Sequence, residues 1–159
     1  MRQKTIFLLL IFLLSLNIYG QESGTVLAPD FEFQLTDGST KKLSDYRGQV
    51  VYLSFWASWC KPCISGFEKY AAIRQQMKEI GVVLLNVSID ESRSKWTKAI
   101  DDYQISGDHG LVSQAVVMEP WQLYAVPAYE IIGKDGKLLY LSQEEGRSVL
   151  DEFRRFVAE

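Results

Sequence analysis

The residues able to do chemistry lie in one short run, Trp59-Cys60-Lys61-Pro62-Cys63, which contains both cysteines of the chain. A thiolate is the attacking species in thiol–disulfide exchange. A second cysteine three positions on lies within one helical turn, close enough to attack a mixed disulfide formed at the first. The run follows the apolar stretch Val50–Trp56 and precedes a helical pattern, so it falls where a strand ends and a helix begins. A helix N-terminus carries unpaired N–H groups and about half a positive charge, which lowers the pKa of a thiol placed there. Lys61 adds a positive charge in the same direction. Cys60, at the exposed start, is therefore expected to be the nucleophile, and Cys63, deeper in the first turn, the resolving thiol. Pro62 stiffens the turn, and its missing N–H costs nothing in a first helical turn. Trp56 and Trp59 are expected to wall the site.

The pair has other readings. C-x-x-C is half of a zinc site, but there is no second pair and His109 is the only histidine. A structural disulfide closing so short a loop would stabilise little. Soft thiolates also select Cu(I). Redox exchange is favoured because the strand-to-helix junction is the context the motif requires. No metal or cofactor is expected. His109 lies in a polar, glycine-containing stretch, Ser106–Gly110, and is expected to be a solvated loop residue.

The elements that position the pair follow from hydrophobic pattern. Val50–Trp56 and Val82–Ile89 are nearly continuous apolar runs, as in strands buried on both faces of an α/β sheet. Between them a helix is expected over about Pro62–Ile80. Its apolar face would be Phe67, Tyr70, Ala71, Met77 and Ile80, its wet face Arg74, Gln75, Lys78 and Glu79, with Gly81 ending it. This is a βαβ unit, whose crossover is right-handed. Upstream, Phe31–Leu35 and Lys41–Leu43 flank Thr36-Asp37-Gly38-Ser39 and predict a hairpin. Downstream, Ser92–Asp102 predicts a helix with Trp96, Ile100 and Tyr103 as its stripe, and Gln114–Leu123 a short, partly helical segment interrupted at Pro120. Ala128–Ile132 and Leu138–Leu141 predict a hairpin, and Val149, Leu150, Phe153 and Val157 the apolar face of a closing helix.

The chain has 159 residues, 47% hydrophobic and 23% charged, with a formal net charge of −3. That is one domain's worth of sequence with enough apolar residues for a globular core. The acidic balance argues against nucleic acid as partner. Arg2 and Lys4, the apolar run Thr5–Leu16 and the small residue Gly20 have the layout of a secretory signal peptide. The run is shorter than the roughly 20 residues needed to span a bilayer. Residues 1–20 are therefore expected to be removed, with an uncleaved membrane tether as the alternative; 21–26 would be a short leader and 27–159 the domain. Export to a periplasmic or similar compartment would place the cysteines where disulfides persist.

With these motifs in place, the chain resembles the thioredoxin superfamily, specifically its exported TlpA/ResA-like branch, close to the redoxin group. Ala28-Pro29-Asp30-Phe31 is similar to that branch's entry segment, and Leu43–Val51 (LSDYRGQVV) to its lead-in to the central strand. Phe55–Cys63 (FWASWCKPC) matches its active-site motif. Trp121–Pro127 (WQLYAVP) aligns with the segment ending in a cis-proline opposite the cysteines. The resemblance implies a thioredoxin fold, a central mixed sheet flanked by helices, with an N-terminal hairpin extension. It also implies a redox-active Cys60–Cys63 disulfide and a cis Pro127 that leaves the backbone of Val126 free to pair with a substrate in extended form. The chain departs from the superfamily at two places. Ser54 stands where thioredoxins carry a buried carboxylate, and Gly66 where relatives often have a glutamate; both groups help move the resolving thiol's proton. Glu68 is turned about 200° away along the helix.

The expected function is exported thiol–disulfide exchange by a monomer. It would reduce disulfides of other exported proteins, serving redox homeostasis or cytochrome c maturation, and be served by a membrane or periplasmic redox partner. A redoxin-type peroxidase is the near alternative, disfavoured because Trp56 and Ala57 replace the threonine side of the peroxidatic motif. A copper-delivery protein is the other, disfavoured by C-x-x-C in place of C-x-x-x-C.

Overall fold

A computed structural model describes residues 26–141 and 148–159. The expected signal peptide (1–20) and almost all of the leader (21–26) lie outside the described residues. Among the described residues no helix is long and apolar enough to cross a membrane.

The strands are β1 (Glu32–Gln34), β2 (Thr40–Lys42), β3 (Val51–Trp56), β4 (Val83–Ser88), β5 (Asp108–Leu111), β6 (Ala128–Ile132) and β7 (Leu138–Leu139). They form one mixed sheet in the order β2-β1-β5-β4-β3-β6-β7. The helices are α1 (Lys61–Lys69), α2 (Ala71–Glu79), α3 (Arg93–Asp102), α4 (Gln114–Val117) and α5 (Val149–Ala158). A 3-10 turn, Leu43–Tyr46, leads from the hairpin towards β3.

The two apolar runs are the central strands. β3 and β4 are parallel, with Val51 opposite Val83 and Trp56 opposite Ser88. β6 runs antiparallel to β3, so one edge of the central unit closes with the β6–β7 hairpin. The N-terminal hairpin forms as its turn residues predict and joins the same sheet through β5. Two clusters cover the sheet. One gathers Phe31, Phe33, Leu53, Phe55, Leu85, Val87, Trp96 and both cysteines. The other packs Met77, Phe153 and Phe156 on Val50, Leu84 and Ile131.

Four local expectations are corrected. The helix over Pro62–Ile80 is two helices that meet at Tyr70, whose φ of −104° and ψ of 15° fall outside the helical well. The break rotates the second half, so Tyr70 and Ala71 are exposed while Arg74, read as wet, is buried. On α3, Ala99 is buried in place of Tyr103, which stands beyond the helix and is exposed. On α5, Glu152 and Phe156 join Phe153 inside, and Val149 is exposed.

The fourth correction concerns Ser106–Gly110. Residues 108–111 are a strand, β5, parallel to β4. Its polar composition hides it, because its inward contact is made by a glycine: a Cβ on Gly110 would lie 2.5 Å from the Phe33 ring. His109 is half-buried within this strand, with Nε2–H donating to the Ile105 carbonyl at 2.9 Å and Nδ1 without a partner among the described residues. Burial holds its pKa below the ordinary 6.5. The native state therefore favours neutral imidazole, and the unfolded chain binds the proton first as pH falls. Stability is expected to be intact above about pH 6.5 and to decline between there and pH 5, before carboxylates titrate. Urea midpoints across this window should fall for the wild type and stay flat for His109→Gln. Equal slopes would rule out His109 as the source.

Candidate active site

β3 ends at Trp56, the chain turns through Ala57-Ser58-Trp59, and α1 begins at Lys61 with Cys60 as its N-cap. Cys60 is extended (φ −84°, ψ 92°), which aims its sulfur back over the first turn. The Cys63 N–H donates to Cys60 Sγ at 3.2 Å, and the Cys60 carbonyl accepts from Cys63 and Ile64. The sulfur thus takes the place of the oxygen of an N-cap serine or aspartate. The two cysteines are joined in a disulfide. Pro62 occupies the second helical position, where no intrahelical partner is lost.

The expectation that Cys60 is exposed is corrected: it is 4% exposed and Cys63 2%, so both are enclosed. The cover comes from far along the chain. The Val126–Pro127 peptide is cis, and the Val126 carbonyl oxygen lies 3.6 Å from Cys60 Sγ. The Val126 N–H has no partner among the described residues. The two tryptophans divide. Trp56 is buried, its ring edge-on to Phe67 at 5.3 Å, so it is core beneath the site. Trp59, the residue before Cys60, and Tyr124, two residues before Val126, are both exposed. Lys61 is exposed on the first turn.

One buried group at this site escaped the sequence reading. Asp90, two residues beyond the end of β4, accepts from the Ser58 N–H at 2.8 Å and the Ser58 hydroxyl at 2.7 Å, and from the Ser88 hydroxyl at 2.7 Å. It ties the loop before Cys60 to the end of the neighbouring parallel strand. The available signal was positional, since groups just beyond the carboxyl ends of adjacent parallel strands converge on one edge of an open sheet.

Both departures from the superfamily pattern neighbour Tyr129 of β6. Ser54 is fully buried and its hydroxyl has no partner among the described residues. Its cross-strand neighbour is Tyr129. A Cβ on Gly66 would come within 3.3 Å of the Tyr129 hydroxyl, so the tyrosine holds the space a longer side chain at 66 would need. Glu68 is exposed, as its helical position implies.

The family model described as AhpC/TSA matches residues 25–141. The chain belongs to the AhpC/TSA family. Within that family it is similar to thiol-disulfide oxidoreductase ResA of Bacillus subtilis (strain 168), 30% identical over 112 residues. That match covers 70% of this chain and 63% of the relative, so the similarity spans somewhat under two thirds of the relative's length. Among solved structures, one from Chlorobium tepidum, assigned as a thiol:disulfide interchange protein DsbE, is 28% identical with a TM-score of 0.66. It covers 75% of this chain and is itself covered to 83%. One from Bacteroides vulgatus, assigned as a thiol-disulfide oxidoreductase, is 27% identical with a TM-score of 0.69, covering 82% of this chain and 94% of its own. This AhpC/TSA member has the thioredoxin fold and is TlpA/ResA-like.

Proposed function

We propose that the chain is an exported thiol–disulfide oxidoreductase that reduces disulfides of other exported proteins. The observation that carries this reading is the Cys60–Cys63 pair capping α1 beneath the Val126 carbonyl. In the reduced protein the Cys60 thiolate attacks one sulfur of a substrate disulfide. A mixed disulfide forms and one substrate thiolate leaves. The Cys63 thiolate then attacks Cys60 Sγ, the second substrate thiolate leaves, and the enzyme is left as the Cys60–Cys63 disulfide. Two electrons pass to the substrate, and a membrane or periplasmic dithiol partner restores them. The Val126 N–H, without a partner among the described residues, would receive the substrate backbone by strand addition, which reads main chain rather than sequence. Cytochrome c maturation is one pathway such a reductant would serve. Export rests on the N-terminal sequence layout.

Wild type is expected to accelerate insulin reduction by dithiothreitol, and Cys60→Ser to leave it at the uncatalysed rate. Hydrogen peroxide consumption should be negligible in both, which separates exchange from peroxidase activity. Equal insulin rates for the two proteins would sink the proposal. The same preparation tests the nucleophile. Alkylation of reduced Cys60 across pH should give a midpoint below the ordinary thiol value of about 8.5, because the helix N-terminus and the Cys63 N–H favour the thiolate. Lys61→Glu should raise that midpoint.

A further inference from the structure

Between α1, α2 and the β3–β6 face lies a cavity of about 260 Å³. Its walls include Tyr52, Phe67, Met77, Tyr129 and Phe153, with the Arg74 guanidinium set into them. Arg74 is only 5% exposed. Its Nη2 donates to the Asn86 side-chain oxygen at 2.7 Å and to the Ser106 carbonyl at 3.2 Å, both neutral acceptors. Its Cζ lies 5.0 Å from the Phe67 ring centroid and 5.9 Å from that of Tyr52. Among the described residues no carboxylate lines the cavity and none forms an ion pair with Arg74.

A buried cation ordinarily has an anion beside it, because ring faces and neutral acceptors offset only part of its lost hydration. Arg74 has a cavity beside it instead. The remaining polar groups on the wall suit the same occupant. Tyr52 and Tyr129 stack at 5.7 Å. Burial pushes the Tyr52 phenol up to about 12 and raises that of Tyr129, so at neutral pH both hydroxyls can donate to an anion. Gly66 leaves the Tyr129 hydroxyl its place at the wall.

We infer that this cavity is a binding site for a small amphipathic carboxylate, its carboxylate on Arg74 and its apolar part among the aromatic side chains. The volume lies just below the roughly 300–1,000 Å³ of drug-sized ligand sites, so the ligand is compact. Binding does not use the cysteines, and the inference stands apart from the proposed exchange activity.

Octanoate and its uncharged counterpart 1-octanol are the probes, titrated into the full chain and followed by calorimetry and by amide chemical shifts. A hydrogen bond to a charged group contributes about 1.5–3 kcal/mol, and so octanoate should bind about ten-fold or more tighter than octanol. Shifts should concentrate at Gly66, Phe67, Ile73 and Tyr129. Arg74→Gln should erase the preference, Arg74→Lys should keep most of it, and Ile73→Trp, which fills the cavity, should remove binding of both probes. Equal affinity of the two probes for wild type, no binding of either at millimolar concentration, shifts elsewhere on the surface, or a preference that survives Arg74→Gln would each overturn the inference. If Arg74→Gln does not fold, the wild-type preference, the shift map and Arg74→Lys still decide it.

Discussion

Cys63→Ser is expected to accumulate covalent adducts on Cys60, whereas the Cys60→Ser, Cys63→Ser double variant accumulates none. The reason is the order of attack. Cys60 caps α1, and its sulfur receives the Cys63 N–H at 3.2 Å, a contact that favours thiolate at this position. In the proposed exchange, the mixed disulfide formed at Cys60 is resolved by the nearest thiol, Cys63 in the same turn. With serine there, nothing in the chain can complete the exchange, because these are its only cysteines. Turnover should fall to the uncatalysed rate while the first attack proceeds. Non-reducing gels and mass spectrometry of cells producing the variant would show discrete, thiol-reversible bands and identify the substrates. Adducts that form equally well in Cys60→Ser would assign the nucleophile to Cys63. An absence of adducts with any exported protein would remove the proposed substrate class and leave the fold untouched.

The second large effect is expected at Asp90. Its carboxylate is 5% exposed and takes three hydrogen bonds, two from Ser58 and one from Ser88. Hydrogen bonds to a charged group contribute about 1.5–3 kcal/mol each, with strong non-additivity inside one network. Asp90→Ala leaves the Ser58 N–H and two hydroxyls without their acceptor in an enclosed place. A loss of about 3 kcal/mol in unfolding free energy is expected, a large share of a typical 5–15 kcal/mol. The effect on exchange should exceed what unfolding explains. Ser58 stands two residues before Cys60, and releasing it frees the loop that aims the Cys60 sulfur. Insulin reduction measured where Asp90→Ala is still fully folded should therefore be slowed. Asp90→Asn keeps one acceptor and should fall between the two. A folded Asp90→Ala protein with wild-type rates would show that the clamp is structural only.

The placement of the cysteine pair was legible in the sequence because it is local. Two cysteines three residues apart, a proline in the first turn and an apolar run ahead of them need no distant information to be read as a strand-to-helix junction. The β3–β4 pair was legible for a related reason: a strand buried on both faces must be apolar along most of its length, and Val50–Trp56 and Val82–Ile89 are, interrupted only by Ser54, Asn86 and Ser88. The hairpins announced themselves through Asp37-Gly38 and Asp135-Gly136, where the glycines take φ of +93° and +76°.

What the sequence by itself left undecided depends on residues brought together from far apart. β5 is polar, and its place in the sheet depends on Gly110 lying under Phe33, 77 positions earlier, which no pattern within 106–110 encodes. Arg74 reads as solvated on a straight helix. The break at Tyr70 turns it inward, towards Asn86 on β4. Asp90 is an ordinary loop acid until parallel pairing of β3 and β4 sets it beside Ser58. The enclosure of Cys60 depends on Val126, 66 residues away. In each case the sequence determined which groups were available, and tertiary packing decided what they face. Burial, charge compensation and access are properties of neighbours, and the neighbours here are set by the order of strands in the sheet.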